Sequence, residues 1–235
     1  MSIKIIRNSN WNIIYDDKLV PEIDHSFFER ETHRNNPYFR IDTTGRGDTI
    51  FFKHHESNLV LKKYIRGGLV KHISRDKFVF ISEKTVRSFA EFNILNKMTN
   101  AGLNVPKPVA AFYERDGLFF KSKILCTEIK NCCNLHEKLL NRSLNEHDWK
   151  SLGVQMNNFF INGFYHPDLN AKNILFDEDN KIFFIDFSSP PRLSPSFMQK
   201  NFVLRRVWRS LKKLSTRNNI PFPQKGWEII KNQIK

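Results

Sequence analysis

The sequence predicts an α+β fold with two lobes, the first rich in strands and the second mainly helical. β-prone segments separated by turn residues fill positions 1–80, and amphipathic helical patterns recur in the second half of the chain. The chain has 235 residues, 40% of them hydrophobic and 22 of them Phe, which is enough apolar material for a core. We therefore expect a single domain, with an N-lobe at residues 1–130 and a reduced C-lobe at residues 131–235.

Three β-prone segments occupy the N-lobe ahead of one long helix. Their sequences are WNIIYDD, DTIFFKHH and NLVLKKYI. Apolar residues then recur at helical spacing from Ser82 to Asn100, and Gly102 followed by VPKP is typical of a helix end. Two further strands are predicted within residues 103–130, around the turn ERDG. The expected order is therefore strand, helix, strand, strand.

In the C-lobe, the sequence predicts a helix followed by a short hairpin. The helix runs from Asn145 to Phe160 and is closed by Gly163. The hairpin consists of ILF and KIFFID on either side of the polar turn DEDN. Polar residues, in the segments HPDLNAKN and DFSS, stand immediately before and after this hairpin. Because buried carboxylates and amides are costly unless paired, we expect this end of the hairpin to bind a metal ion and a phosphate.

The chain is strongly basic and carries few cysteines. Its formal charge of +14 indicates an acidic partner, either nucleic acid, an anionic membrane surface or a phosphorylated substrate, although biased nucleotide composition of the source also produces such a charge. Cys126, Cys132 and Cys133 lack a C-x-x-C spacing, which favours inert thiols in a reducing compartment over a metal cluster with His136. No signal segment and no run of roughly 18 apolar residues is present, so we expect a cytosolic or peripheral protein.

The segment HPDLNAKN together with the later DFS has the spacing H-x-D-x-x-x-x-N and D-F-x of a kinase catalytic loop. Asp168 can accept the proton of an attacking hydroxyl, and Lys172 can place positive charge beside a transferring phosphoryl group. Asn173 and Asp186 offer the oxygen ligands that Mg²⁺ prefers. An Asx-rich loop is the alternative, but the spacing favours the catalytic interpretation. For His166 we expect a structural role.

A kinase also requires a strand Lys that reaches the ATP phosphates and a Glu on the following helix. Lys62 ends the segment NLVLK, and Glu91 lies within RSFAEFNIL. Lys63 would point to the opposite face of its strand, and Glu83 lies nearer the helix start, so both are weaker candidates. We therefore predict that Lys62 and Glu91 bind the nucleotide.

Two further nucleotide contacts are predicted from position along the chain. TTGRGDT supplies Gly45, Arg46 and Gly47 ahead of Lys62, but the third glycine of a phosphate-covering loop is missing, and an ordinary turn accounts for these residues equally well. Glu128 follows KILC, where a kinase presents backbone groups to adenine.

Five segments of the chain resemble one known family, the 3-deoxy-D-manno-octulosonic acid (Kdo) kinases of lipopolysaccharide synthesis, which are similar in fold to protein kinases. They are YIRGGL, TVRSFAEFNIL, AGLNVPKPVAA, HPDLNAKNILFD and FFIDF. The resemblance implies ATP-dependent phosphorylation of a Kdo hydroxyl, at the 4-position, on a lipid A precursor at the cytoplasmic face of the inner membrane. It assigns the catalytic Asp to Asp168.

Three departures from protein kinases favour a small-molecule or glycolipid acceptor over a peptide. HPD replaces HRD, DFS replaces DFG, and no A-P-E follows Asp186. A core heptose kinase or atypical protein kinase of the same fold, and an inactive nucleotide-binding scaffold, remain alternatives. The full set of Lys, Glu, Asp, Asn and Asp argues against the scaffold.

The C-terminal part of the chain predicts a basic amphipathic helix from about residue 200 to 217. Its apolar positions are Leu204, Val207, Trp208, Leu211 and Leu214, and its basic positions are Arg205, Arg206, Arg209, Lys212 and Lys213. Such a helix can bind an anionic bilayer, or it can pack Trp208 and Leu211 into the C-lobe and leave a solvated basic face. No nucleic-acid-binding motif is present, so we expect no nucleic-acid partner.

Overall fold

Two units make up the chain in the computed structural model, which describes residues 2–43, 49–65, 76–187 and 197–234. The first unit contains Met1–Asn96 and Pro106–Glu128, and the second contains Lys97–Val105 and Ile129–Lys235. Residues 97–105 were predicted to belong to the N-lobe. They join the second unit because they contact its hairpin, where the Phe184 N–H donates to the Asn104 carbonyl at 3.2 Å.

The first unit is rich in strands, as predicted, and the strands pair in antiparallel fashion. In chain order they are β1 (Ile3–Arg7), β2 (Trp11–Asp16), β3 (Arg40–Asp42), β4 (Thr49–His54), β5 (Ser57–Lys63), β6 (Phe78–Val79), β7 (Pro108–Asp116) and β8 (Phe119–Thr127). Within the described residues they form one sheet in the order β1-β2-β7-β8-β5-β4-β3, with β6 paired to β8. The predicted ERDG turn joins β7 to β8, and Gly117 adopts a φ of 58°, in the region that glycine tolerates best.

Alternating apolar side chains of this sheet build the core of the first unit. Ile50 and Phe52 of β4 face Leu59 and Leu61 of β5 and are buried with them. Two short 3₁₀ turns, His25–Phe28 and Glu31–His33, cover this core. Burying each such side chain stabilises the fold by about 1.5–3 kcal/mol.

The predicted long helix is α1 (Arg87–Asn100), which begins five residues later than Ser82. Ser82 instead caps a 3₁₀ turn at Glu83–Thr85, and the extended backbone of Val86 separates that turn from the helix. The helix ends as predicted at Gly102, whose φ of 73° is left-handed.

The second unit contains a short three-stranded sheet and four helices among the described residues. In chain order the elements are β9 (Cys133–Asn134), α2 (Leu135–Leu140), α3 (Glu146–Ile161), β10 (Ile174–Phe176), β11 (Ile182–Phe184), α4 (Phe197–Arg217) and α5 (Gln224–Gln233). Asn145 caps α3 by accepting the Asp148 N–H at 2.9 Å. The predicted hairpin is β10–β11, with Ile174 paired to Phe184.

Helix α4 corresponds to the predicted basic helix. Leu211 is buried, together with Val203 and Val207 on the same face, whereas Trp208 is half-buried beside Phe222. Helix α4 thus packs one apolar face and leaves a basic face exposed. None of the helices in the described ranges is long and apolar enough to span a bilayer.

Candidate active site

The catalytic loop, residues 166–173, lies between α3 and β10 and is held by His166. The Nε2–H of His166 donates to the Ile185 carbonyl at 2.8 Å, while its Nδ1 accepts the Asp168 N–H at 3.1 Å. Because Nδ1 accepts, the proton of the neutral ring belongs on Nε2. His166 therefore ties the loop to the residue that follows β11, which is a structural role.

Asp168 presents a partly exposed carboxylate, and its backbone groups are hydrogen-bonded within the loop. Its carbonyl accepts hydrogen bonds from the side-chain amides of Asn170 and Asn173, at 3.0 and 3.1 Å. Its carboxylate accepts a hydrogen bond from Arg206 of α4, and 45% of the side chain is exposed. An acceptor hydroxyl can therefore reach the predicted base. Lys172 is exposed at the same loop, with its backbone N–H bonded to Asn170 Oδ1 at 3.0 Å.

The β10–β11 pairing brings Asn173 and Asp186 to one end of the hairpin. Asn173 precedes Ile174, and its carbonyl accepts the Ile185 N–H at 3.0 Å, one residue before Asp186. Asp186 adopts a left-handed φ of 69°, an uncommon backbone conformation that recurs at functional sites.

These two residues fit the demands of Mg²⁺. Because Nδ2 of the buried Asn173 is committed as a donor to the Asp168 carbonyl, its Oδ1 remains as a neutral oxygen ligand, and Asp186 adds a charged one. Throughout the described ranges, no three His, Cys, Asp or Glu side chains cluster around a common point. A two-ligand set is what Mg²⁺ uses when substrate phosphates and water complete its coordination.

In the first unit, Lys62 of β5 and Glu91 of α1 both lie near the side chains of Tyr64 and Cys126. The Tyr64 hydroxyl donates to the buried Glu91 carboxylate, and the Lys62 Nζ is 6.0 Å from the centre of the Tyr64 ring. Burial chiefly raises the pKa of the Cys126 thiol, the Glu91 charge raises this pKa further, and the Lys62 charge lowers it. The strand Lys and the helix Glu that the sequence analysis singled out are therefore neighbours.

Lys63 and Glu83, the two weaker candidates for nucleotide binding, contact other residues. Lys63 forms an ion pair with Asp76 at 2.7 Å. Glu83 forms an ion pair with Arg7 at 2.7 Å, and the Arg7 guanidinium holds the pKa of Glu83 below its ordinary value. Both have structural partners in the first unit, which leaves Lys62 and Glu91 as the predicted nucleotide-binding pair.

Of the remaining residues predicted to contact the nucleotide, the structure describes Glu128. Gly45, Arg46 and Gly47 lie outside the described residues. The Glu128 carboxylate pairs with Arg40, and its backbone N–H donates to the Asn58 carbonyl at 2.8 Å. Because that N–H is already used, any adenine contact from Glu128 would have to use its carbonyl oxygen.

Helix α4 supplies two residues that the sequence analysis did not assign to the site. Arg206 donates to Asp168, and the Ser210 hydroxyl accepts the Ala171 N–H at 3.1 Å. Their spacing of four residues places both on one helix face, but no sequence pattern indicates that this face meets the catalytic loop. Tyr64, which donates to Glu91, was also missed.

Relatives of this chain share most of its length. Among the proteins that match it are three named 3-deoxy-D-manno-octulosonic acid kinase. That of Vibrio vulnificus is 33% identical over 93% of this chain and 92% of its own. That of Xanthomonas oryzae is 34% identical over 86% of this chain and 80% of its own. That of Mannheimia succiniciproducens is 34% identical over 92% of each chain.

A solved structure and a family model agree with these relatives. A solved structure described as WaaP in complex with acyl carrier protein superposes with a TM-score of 0.56 at 14% identity, covering 94% of this chain and 97% of that one. This likeness confirms the predicted kinase-like fold. The model of the lipopolysaccharide kinase (Kdo/WaaP) family matches residues 39–233. The chain is therefore a kinase, a phosphotransferase, and it belongs to the lipopolysaccharide kinase (Kdo/WaaP) family.

Proposed function

We propose that this protein transfers the γ-phosphoryl group of ATP to the 4-hydroxyl of a Kdo sugar on a Kdo-lipid A precursor. The observation that carries the proposal is the hairpin pairing that brings Asn173 and Asp186 together beside the partly exposed carboxylate of Asp168. The relatives named as Kdo kinases support the acceptor class. The 4-position follows from the resemblance to that family.

In the second unit, Asp168 performs the proton transfer. The acceptor oxygen forms a bond to the γ-phosphorus while the bond from that phosphorus to the bridging oxygen of ADP breaks, and the hydroxyl proton passes to the Asp168 carboxylate. Asn173 and Asp186 would hold Mg²⁺, which when bound neutralises charge on the phosphates. Lys172, exposed at the same loop, adds positive charge near the transferring group.

In the first unit, Lys62 binds the phosphates of the nucleotide. Glu91 fixes the position of the ammonium group by charge attraction, and the Tyr64 hydroxyl in turn orients the Glu91 carboxylate. This support matters because a long Lys side chain otherwise loses considerable rotamer entropy when it binds.

We propose that the exposed face of α4 binds an anionic membrane. A shallow groove there is lined by Trp208, Arg209, Lys212, Lys213, Thr216 and Arg217, which we call the basic groove. Two exposed apolar side chains, Met198 and Phe202, continue the same face toward the helix start. Each Lys or Arg near an anionic bilayer contributes roughly 1 kcal/mol of attraction. Together with the resemblance to the Kdo kinases, the basic groove supports our proposal that the protein is a peripheral enzyme at the cytoplasmic face of the inner membrane.

An acceptor comparison tests the proposal. Purified protein is incubated with γ-labelled ATP and Mg²⁺ and one of four acceptors: Kdo-lipid A precursor, the same lipid without Kdo, a heptose-bearing core saccharide without Kdo, or a generic protein. We expect label in the Kdo lipid alone, and we expect ³¹P NMR of the product to place the phosphate on the 4-hydroxyl. Label in the protein or the heptose saccharide would favour the corresponding alternative, and ATP binding without label in any acceptor would favour a scaffold.

A further inference from the structure

An arginine on α4 contacts the predicted catalytic base directly. The Arg206 Nη2 donates to Oδ1 of Asp168, and the two side chains are 38% and 45% exposed. Both ends of this ion pair are thus open to an arriving acceptor. The pair is also local to one unit, because α4 and the catalytic loop both belong to the second unit.

This ion pair competes with catalysis if it persists. Asp168 must accept the proton of the acceptor hydroxyl, and an oxygen that already accepts from a guanidinium is less available for that bond. An acceptor with an anionic group of its own would bind Arg206 in place of Asp168 and so release the Asp168 carboxylate. A neutral acceptor would leave the ion pair in place.

The position of Arg206 is fixed while its guanidinium retains unused donors. Helix α4 is anchored to the catalytic loop by the bond from the Ala171 N–H to Ser210 Oγ, one helical turn from Arg206. The Arg206 Nε is buried and has no hydrogen-bond partner among the residues that the structure describes. Because Nε is buried, an arriving carboxylate would be bound by the terminal Nη groups, which can donate two parallel hydrogen bonds to it.

Building on the proposed function, we propose that Arg206 recognises the carboxylate of the acceptor sugar. Kdo is an octulosonic acid and therefore carries such a group. When the acceptor binds, the guanidinium exchanges Asp168 for the sugar carboxylate, and the released Asp168 accepts the proton of the hydroxyl. Arg206 also offsets the repulsion between the acceptor carboxylate and Asp168. The same residue thus selects acidic sugars and couples their binding to the freeing of the base.

Two acceptors that differ only at the carboxyl group test this assignment. One is the Kdo-lipid A precursor and the other is its Kdo methyl ester, each assayed with the wild-type protein and with Arg206→Ala. We expect the wild type to prefer the acid by about 10- to 100-fold in kcat/KM, the usual effect of a charge-assisted hydrogen-bonded pair. In Arg206→Ala we expect a loss of similar size on the acid, a preference close to one, and an unchanged KM for ATP.

A matched control removes a cation from the same unit. Lys231→Ala deletes a positive charge from an exposed position of α5, and we expect it to keep the preference for the acid. Arg206→Gln, which retains much of the side-chain volume, replaces Arg206→Ala if thermal unfolding shows that the alanine variant does not fold.

The outcomes separate this assignment from the proposed function. If the Arg206 variants lower kcat/KM for acid and ester by the same factor, Arg206 only positions Asp168 and the assignment is overturned. If the wild type phosphorylates the ester as well as the acid, no carboxylate is recognised and the assignment is again overturned. A wild type that phosphorylates neither acceptor contradicts the proposed function, and the assignment falls with it.

Discussion

Lys62 and Lys63 are adjacent in β5 but contact different residues. Lys62 lies near Tyr64, and its charge lowers the pKa of the Cys126 thiol, which the Glu91 charge raises. Lys63 instead forms an ion pair with Asp76. The alternation of side chains along a strand produces this division. It makes the two lysines a natural pair for mutation, since they share charge, strand and sequence context.

We predict that Lys62→Ala weakens nucleotide use and that Lys63→Ala does not. Loss of a charge-assisted contact to the phosphates should cost about 2 kcal/mol, or roughly 30-fold in kcat/KM for ATP. The measurement is the rate of label transfer at increasing ATP concentration for each variant. Equal effects of the two substitutions would remove Lys62 from the site.

At the scale of elements, α3 and α5 pack so closely that glycine is required between them. A Cβ added at Gly226 would lie 2.3 Å from Cε2 of Trp149, a buried side chain of α3. We predict that Gly226→Ala lowers the free energy of unfolding by about 1–3 kcal/mol because the indole must shift.

Denaturant unfolding measures this effect. The exposed neighbour Lys225 provides the control, since Lys225→Ala should change stability by no more than about 0.5 kcal/mol. A Gly226→Ala variant as stable as the control would show that α5 does not pack on Trp149 in this way.

The core of the first unit contains a buried histidine that should make stability depend on pH. His33 stacks on Phe52 with ring centres 3.6 Å apart, and burial lowers its pKa below the ordinary value of 6.5. Because the folded state disfavours the protonated ring, the unfolded state binds more protons between the two pKa values. Stability should therefore fall as the pH drops below about 6.5 and should be unaffected by this group at higher pH.

Denaturant unfolding at pH 7.5, 6.5 and 5.5 tests this expectation, with His33→Gln beside the wild type. The glutamine can still donate to the Phe27 carbonyl, which His33 contacts at 2.7 Å, but it does not titrate. The acid-induced loss of stability should shrink in the variant. A loss of the same size in both proteins would assign the pH dependence to other groups, of which His54 is one with a lowered pKa.

Elements were predicted from the sequence where the residues that determine them lie close together along the chain. The β7–β8 and β10–β11 hairpins were predicted because ERDG and DEDN are turn sequences between apolar runs. Helix α1 was predicted from its apolar spacing, but its start was placed too early because Ser82 caps a 3₁₀ turn rather than the helix.

Elements stabilised by partners distant in sequence were missed. Helix α5 depends on its contact with Trp149, and β1 is largely exposed and is held by pairing with β2. The same limit explains why the motif predicts roles for Asp168, Asn173 and Asp186, whereas Arg206 was taken for a surface cation. A motif records spacing along the chain, whereas the contact between Arg206 and Asp168 depends on how α4 packs against the catalytic loop.

At the scale of the whole molecule, the net charge of +14 should draw the protein to anionic surfaces. We predict that it binds anionic phospholipid vesicles, that binding weakens as salt increases, and that neutral vesicles bind far less. Reversing two charges of the basic groove in Lys212→Glu/Lys213→Glu should cost about 2 kcal/mol or more, roughly 30-fold in vesicle affinity.

Vesicle sedimentation measures this binding. Lys231→Glu reverses a charge on α5, outside the basic groove, and should have the smaller effect. If the groove variant binds as tightly as the wild type, the basic face of α4 is only a solvated surface.

The most direct test of the account is phosphate transfer to Kdo-lipid A precursor by the wild type, Asp168→Asn and Asp186→Ala, with ATP binding measured in parallel. Asp168→Asn keeps the size of the side chain but cannot take the proton, so we expect it to bind ATP and Mg²⁺ while turnover falls by about 100-fold or more. Asp186→Ala should lose turnover together with its response to Mg²⁺. If either variant transferred phosphate at the wild-type rate, the catalytic loop would not be the site of the reaction.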